Sequence, residues 1–202
     1  MDSVQHTTTT GVDNRKMAMW IVIASECMLF GSLIINYIVQ AARVMKLEGI
    51  GVIKPSQIIN VPITSASTFV LLMSSVAMVF CLKGAREGNV KSFRTWSFLT
   101  AGLGAIFLGF QVYEFTVFYL EGLGMTTNTF GSAFFTLTGT HGAHVLVGVV
   151  ILLTAGIWSF YKPLDKDKHS PVIETIGLYW HFVDVIWILI FTLVYLFVLA
   201  PK

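Results

Sequence analysis

Seven ionisable side chains stand inside long apolar runs of this sequence: Glu26, Glu114, His141, His144, Glu174, His181 and Asp184. A charged side chain at mid-bilayer costs about 2.5–3.5 kcal/mol on insertion scales, so such groups need a purpose or a partner. Three chemistries are open to them. Histidine can ligate haem or copper. A buried carboxyl can exchange protons or meet a lipid head group. Either can also serve as a hydrogen-bonded packing residue.

Spacing restricts the choice. His141 and His144 lie three residues apart, and one helix cannot supply both axial ligands of a single haem from such a pair. A two-haem helical cytochrome needs four histidines at two depths on two helices. The apolar runs hold only His141, His144 and His181. No metal ligand is therefore expected in this chain, and the histidines read as polar packing groups. His181 and Asp184 can bond each other locally or reach partners across helices. Glu26 has no basic residue in its own run. Desolvation favours the neutral, protonated carboxyl there. Proton exchange, lipid contact and a neutral hydrogen-bonded acid all remain open for it.

The elements that carry these groups follow from composition. The chain has 202 residues, of which 55% are hydrophobic and 12% charged, with a mean hydropathy of +0.75. That charge cannot cover a soluble globule, which excludes a soluble enzyme and a disordered regulator. A net charge of +2 gives no footprint for nucleic acid. Cys27 and Cys81 lie in apolar runs, so neither a disulfide framework nor a CxxC metal site is expected.

A spanning helix needs about 20 apolar residues. Five runs meet this, at about 17–39, 62–82, 96–120, 130–160 and 172–199. Residues 1–16 read as a polar tail without the apolar core of a signal peptide. Gly49, Gly51, Pro55, Gly84, Gly88, Gly122, Gly124, Pro163 and Pro171 mark the connections. The expected fold is an all-α integral membrane bundle of five transmembrane helices. Nine of the 13 Lys and Arg fall in the tail and in the second and fourth connections. The positive-inside bias then puts the N-terminus in the cytoplasm and the C-terminus outside. There is no internal repeat, which argues against a small transporter.

Helical periodicity sorts the polar groups into stripes. Glu174, Gly177, His181, Asp184 and Ile188 share one. His141, His144 and Gly148 share another. Thr100, Gly104, Phe107, Gln111, Glu114 and Phe118 share a third. These faces are expected to meet each other or another subunit rather than lipid. His141, His144, His181 and Asp184 fall near mid-span, and Glu26 about 14 Å into the first run. Glu114 falls nearer the outer face and Glu174 nearer the inner. Ala101, Ala105 and Gly109 form a small-residue ladder, and Gly139, Gly142 and Ala143 crowd the fourth run. The bulky fifth run, with Trp180 and Trp187, is expected to lie on these Gly-rich neighbours.

Several stretches also resemble a known family. GLYWHFVDVIWILIFTLVYL, at its core Tyr179 to Trp187, resembles the last helix of subunit III of haem-copper oxygen reductases. FGSAFFTLTGTHGAHVLVG, Phe130 to Gly148, is similar to its penultimate helix. IVIASECMLFGSL, Ile21 to Leu33, is similar to the helix that carries the family's buried glutamate, here Glu26. GFQVYEF, Gly109 to Phe115, is similar to the segment with a second glutamate, here Glu114.

The resemblance implies a non-redox subunit of a respiratory terminal oxidase in a bacterial plasma membrane. Its partners would be the catalytic subunit I, subunit II and a small subunit IV. Haem and copper would sit in the catalytic subunit, which reduces oxygen to water and pumps protons. Subunit III would support proton uptake, hold structural phospholipid and protect the catalytic subunit during turnover. The electron donor, cytochrome c or a quinol, stays open. The longer family members have seven helices, with a lipid-filled cleft behind the first two. This chain resembles the short five-helix form, so it cannot wall that cleft alone.

Overall fold

The computed structural model describes residues 14–46, 61–161 and 165–197. Five helices follow in order: α1 Asn14–Lys46, α2 Val61–Arg86, α3 Val90–Leu120, α4 Thr129–Tyr161 and α5 Lys166–Phe191. A π-helical turn, Thr192–Phe197, continues α5. No strand occurs among the described residues. All five helices are long and apolar enough to cross a membrane.

Each helix begins before the apolar run it carries, and residues 198–199 of the fifth run lie outside the described residues. α1 begins at Asn14, so Asn14, Arg15 and Lys16 are a first helical turn rather than the end of a tail. At 1.5 Å per residue its 33 residues reach about 50 Å, well past a hydrocarbon core of about 30 Å. Hydropathy marks the bilayer, whereas the backbone ladder continues into the interface. Residues 1–13, Gly49, Gly51, Pro55, Pro163 and Lys202 lie outside the described residues.

Two expected breakers sit inside helices. Gly84 is in α2, where a Cβ would stand 2.7 Å from the Phe93 backbone nitrogen, so its role is close approach of α2 to α3. Pro171 is in α5, early enough to forfeit only one ladder bond near the helix start. Gly88 does turn the chain, with φ of 70°. Asn89 then caps α3, its side chain accepting from the Ser92 N–H at 3.1 Å.

α3 packs on α2 and α4, and α5 packs on α2 and α4. α1 lies against α4 and α5. Neighbouring helices therefore run up and down, which brings the start of α1, the end of α2 and the start of α5 to one end.

Trp180 sets the spacing at the centre. Its ring covers Gly104 of α3 and Gly148 of α4, where a Cβ would come within 2.6 and 2.7 Å. The bulky fifth helix does lie on glycine. Among the described residues the Ala101–Ala105–Gly109 ladder does not form a continuous packed face. Ala101 is buried, but Ala105 and Gly109 are exposed and a Cβ on Gly109 meets nothing. The packed face of α3 runs one residue earlier, through Thr100, Gly104, Phe107, Gln111 and Phe118, all buried. In α4, Gly142 lies tight against Gln111 and Gly139 is nearly free, while Ala143 is exposed.

Candidate functional site

The polar stripes do not form one cluster. They divide into four groups at different helix junctions.

The first joins α1 to α4. His144 Nε2 lies 3.2 Å from Glu26 Oε2, with the side chains 20% and 23% exposed. The approach misses linear hydrogen-bond geometry, and Oε2 has no hydrogen-bond partner among the described residues. His144 Nδ1 lies 2.8 Å from the Thr140 carbonyl oxygen. A carbonyl only accepts, so Nδ1 carries the proton and donates it. The ring edge facing Glu26 is then a bare nitrogen, or an N–H if the ring is an imidazolium. A neutral acid facing bare Nε2 and a carboxylate facing imidazolium contain the same atoms. One proton can thus stand on either Nε2 or Oε2 of the pair. Phe30 packs edge-on to the His144 ring at 5.2 Å, and the Tyr179 hydroxyl donates to the His144 carbonyl at 3.1 Å. Phe30 and the Thr140 carbonyl hold the ring, and the Tyr179 bond holds the backbone that carries it.

The second group surrounds His141, which is fully buried. Its Nε2–H donates to the Val183 carbonyl at 3.2 Å, which leaves Nδ1 bare and without a hydrogen-bond partner among the described residues. Trp187, at 4.8 Å, and Phe107, at 5.8 Å, enclose the ring. Trp187 Nε1–H reaches Thr68 of α2 at 3.0 Å. His141 thus sits in an aromatic box joining α4 to α5, one turn from His144 but facing another helix.

The third group joins α2 to α5. Ser75 of α2 donates to Asp184 Oδ2, and His181 Nδ1 lies 3.2 Å from the same hydroxyl. Asp184 is buried and His181 half-buried. The sequence places His181 and Asp184 on one stripe but gives no sign that Ser75 joins them. The only hint is a serine pair, Ser74 and Ser75, amid LLMSSVAMVF. Ser74 in turn accepts from Trp180 Nε1–H at 3.0 Å.

The fourth group lies at the end of the bundle. Glu174 pairs with Lys16 of α1 at 3.0 Å and Arg86 of α2 at 3.2 Å. It tethers three helices where they emerge and is not part of the mid-span set. Glu114 stands apart from Glu26, on α3. Thr64 of α2 donates to its Oε1 at 2.7 Å. Gln111, one turn earlier, donates to the Thr138 carbonyl of α4 at 2.6 Å. No group of three or more His, Cys, Asp or Glu among the described residues is arranged to hold a metal ion.

These observations define an all-α membrane protein whose polar interior joins helices and offers one paired carboxyl and imidazole. A family model described as cytochrome c oxidase subunit III matches residues 3–199. Cytochrome c oxidase subunit 3 of Bacillus sp. (strain PS3) is 36% identical over 183 residues, covering 91% of this chain and 86% of that protein. A probable quinol oxidase subunit 3 of Staphylococcus saprophyticus is 35% identical over 184 residues, covering 90% and 88%. Cytochrome c oxidase subunit 3 of Thermostichus vulcanus is 34% identical over 188 residues, covering 91% and 88%. The chain belongs to the cytochrome c oxidase subunit III family, a subunit of haem-copper oxidases that associates with other oxidase subunits.

Proposed function

We propose that this chain is the non-redox subunit III of a bacterial respiratory terminal oxidase and that Glu26 and His144 hold an exchangeable proton for it. The chain packs beside a catalytic subunit I, with subunit II and a small subunit IV completing the complex. Haem and copper reside in the partner subunits, where oxygen is reduced to water with proton translocation. Cytochrome c or a quinol supplies the electrons through those partners.

The observation that carries the proton role is the 3.2 Å approach of His144 Nε2 to Glu26 Oε2, with Nδ1 already committed to the Thr140 carbonyl. The pair offers two adjacent sites for one proton, Nε2 and Oε2. It lies at mid-span and stays partly accessible. His141, Glu174, His181 and Asp184 stand as polar groups where helices pack, and Glu114 is a half-buried carboxyl that accepts from Thr64. The basic end formed by Lys16, Lys83, Arg86, Lys91 and Arg94 faces the cytoplasm, so the N-terminus is inside and the C-terminus outside the plasma membrane. Structural phospholipid covers the exposed apolar faces.

Affinity capture in mild detergent, with subunit identification and an optical spectrum, tests the assignment. A large haem-containing partner that keeps all the haem when this chain is stripped off supports it. Haem that stays with this chain alone contradicts it and makes His141, His144 and His181 ligands.

A further inference from the structure

His181, Ser75 and Asp184 have a property that packing does not require. Ser75 Oγ donates to Asp184 Oδ2 and lies 3.2 Å from His181 Nδ1. A hydroxyl carries one proton. With that proton given to Asp184, Ser75 can only accept from Nδ1–H, which leaves Nε2 bare. The same heavy atoms fit the reverse direction: a protonated Asp184 donates to Ser75, and Ser75 donates to a bare Nδ1, with the ring proton now on Nε2. The two arrangements differ by one proton and one unit of charge.

The surroundings suit that exchange. Asp184 is 5% exposed, and its Oδ1 has no hydrogen-bond partner among the described residues. No cation lies within ion-pair distance of it among the described residues. A permanently ionised carboxylate is far costlier in such a place than the neutral acid. His181 is only half-buried, and its Nε2 has no partner among the described residues. The nearest charged cluster on the same stripe is Glu174 with Lys16 and Arg86, about 10 Å away along α5. The Glu26–His144 pair lies at the junction of α1 and α4.

We infer that His181, Ser75 and Asp184 form an intramembrane proton-binding relay, in which a proton taken up at His181 Nε2 is stored as the acid of Asp184. The steps balance. An N–H bond forms at Nε2. The Nδ1–H bond breaks as that proton passes to Ser75 Oγ, and the original Oγ–H proton passes to Asp184 Oδ2. The network goes from one negative charge to none, and release reverses the steps. The relay shares no residue with the Glu26–His144 pair, so either can fail alone.

Infrared spectroscopy of the assembled oxidase complex tests this. The parent is expected to show a carboxylic-acid carbonyl band that is lost in Asp184→Asn, retained in Glu26→Gln and moved in frequency in Asp184→Glu. In heavy water the band shifts as its proton exchanges. Ser75→Ala and His181→Phe are expected to slow that shift by about tenfold or more, and Ser75→Thr to restore it, all with parental subunit composition. A network that only joins α2 to α5 would not tie the exchange rate to the Ser75 hydroxyl. Absence of a band sensitive to Asp184 substitution overturns the proposal. So does exchange in Ser75→Ala as fast as in the parent. Should Asp184→Asn fail to assemble, Asp184→Glu and Ser75→Ala decide the matter by the same criteria.

Discussion

Trp180 of α5 lies on the backbone of Gly148 in α4, so close that a Cβ on the glycine would stand 2.7 Å from the indole ring. Gly104 of α3 meets the other side of the same ring. One side chain thus sets the distance between three helices. In a bilayer the association of helices depends on such close fits, because lipid tails are as apolar as the side chains they replace.

Gly148→Val and Gly104→Val are therefore expected to overpack this junction and lower stability by about 1–3 kcal/mol each. Gly102 and Gly109 are the contrast, since a Cβ at either meets nothing within 4 Å. Gly102→Ala and Gly109→Ala are expected to stabilise the isolated chain by up to about 1 kcal/mol, the usual gain of alanine over glycine inside a helix. Detergent-denaturation midpoints of the four variants check the pattern, and equal effects at all four sites would refute it.

Trp187→Phe removes the indole N–H that reaches Thr68. Thr68 already donates to the Thr64 carbonyl, so its hydroxyl keeps one partner. The expected loss is about 1 kcal/mol from the hydrogen bond, with the His141 contact largely retained. A double cycle with Thr68→Val isolates the bond, and a coupling near zero would show that it contributes nothing.

The ion pairs of Glu174 with Lys16 and Arg86 lie at the helix ends, where all three side chains are at least a quarter exposed. Glu174→Gln is expected to cost less than about 1 kcal/mol, with the effect shrinking as salt is raised. A large, salt-independent loss in a denaturation series would contradict this reading.

How much of this could be read beforehand depended on which physical signal each feature left. The five spans were legible because hydrocarbon demands unbroken apolar runs. The ends were not, since Asn14–Lys16 and Val90–Arg94 continue their helices past the apolar limit. The buried stripe on α3, from Thr100 to Phe118, followed from period alone. The Ala101–Ala105–Gly109 ladder misled because small residues permit close approach without specifying which face receives a partner. Glu26, His144, His181 and Asp184 were visible as ionisable groups in apolar runs, but their partners were not. Ser75, Thr64 and Tyr179 are ordinary residues that gain their roles only when α2 meets α5, α2 meets α3, and α5 meets α4.

His141 is enclosed by Trp187, Phe107 and Phe30, with its Nε2 proton held by the Val183 carbonyl. His141→Gln is therefore expected to destabilise the chain while leaving the haem content of the assembled oxidase unchanged. Pyridine haemochrome spectra of equal amounts of complex check this. A fall in haem per complex would make His141 a ligand.

Glu26→Gln in the assembled oxidase is the sharpest test of the proposed exchangeable proton on Glu26 and His144. Glutamine keeps the shape and a polar head but cannot exchange the proton. Steady-state oxygen consumption and proton release are measured across the pH range in which the complex is intact, alongside subunit composition and haem content. The expected result is an assembled complex with parental haem content and an altered turnover or pH dependence. His144→Gln is expected to give a similar change, and the double variant to add little to either. Parental turnover and pumping at every pH would contradict the proton role, and loss of assembly would make Glu26 a structural residue instead.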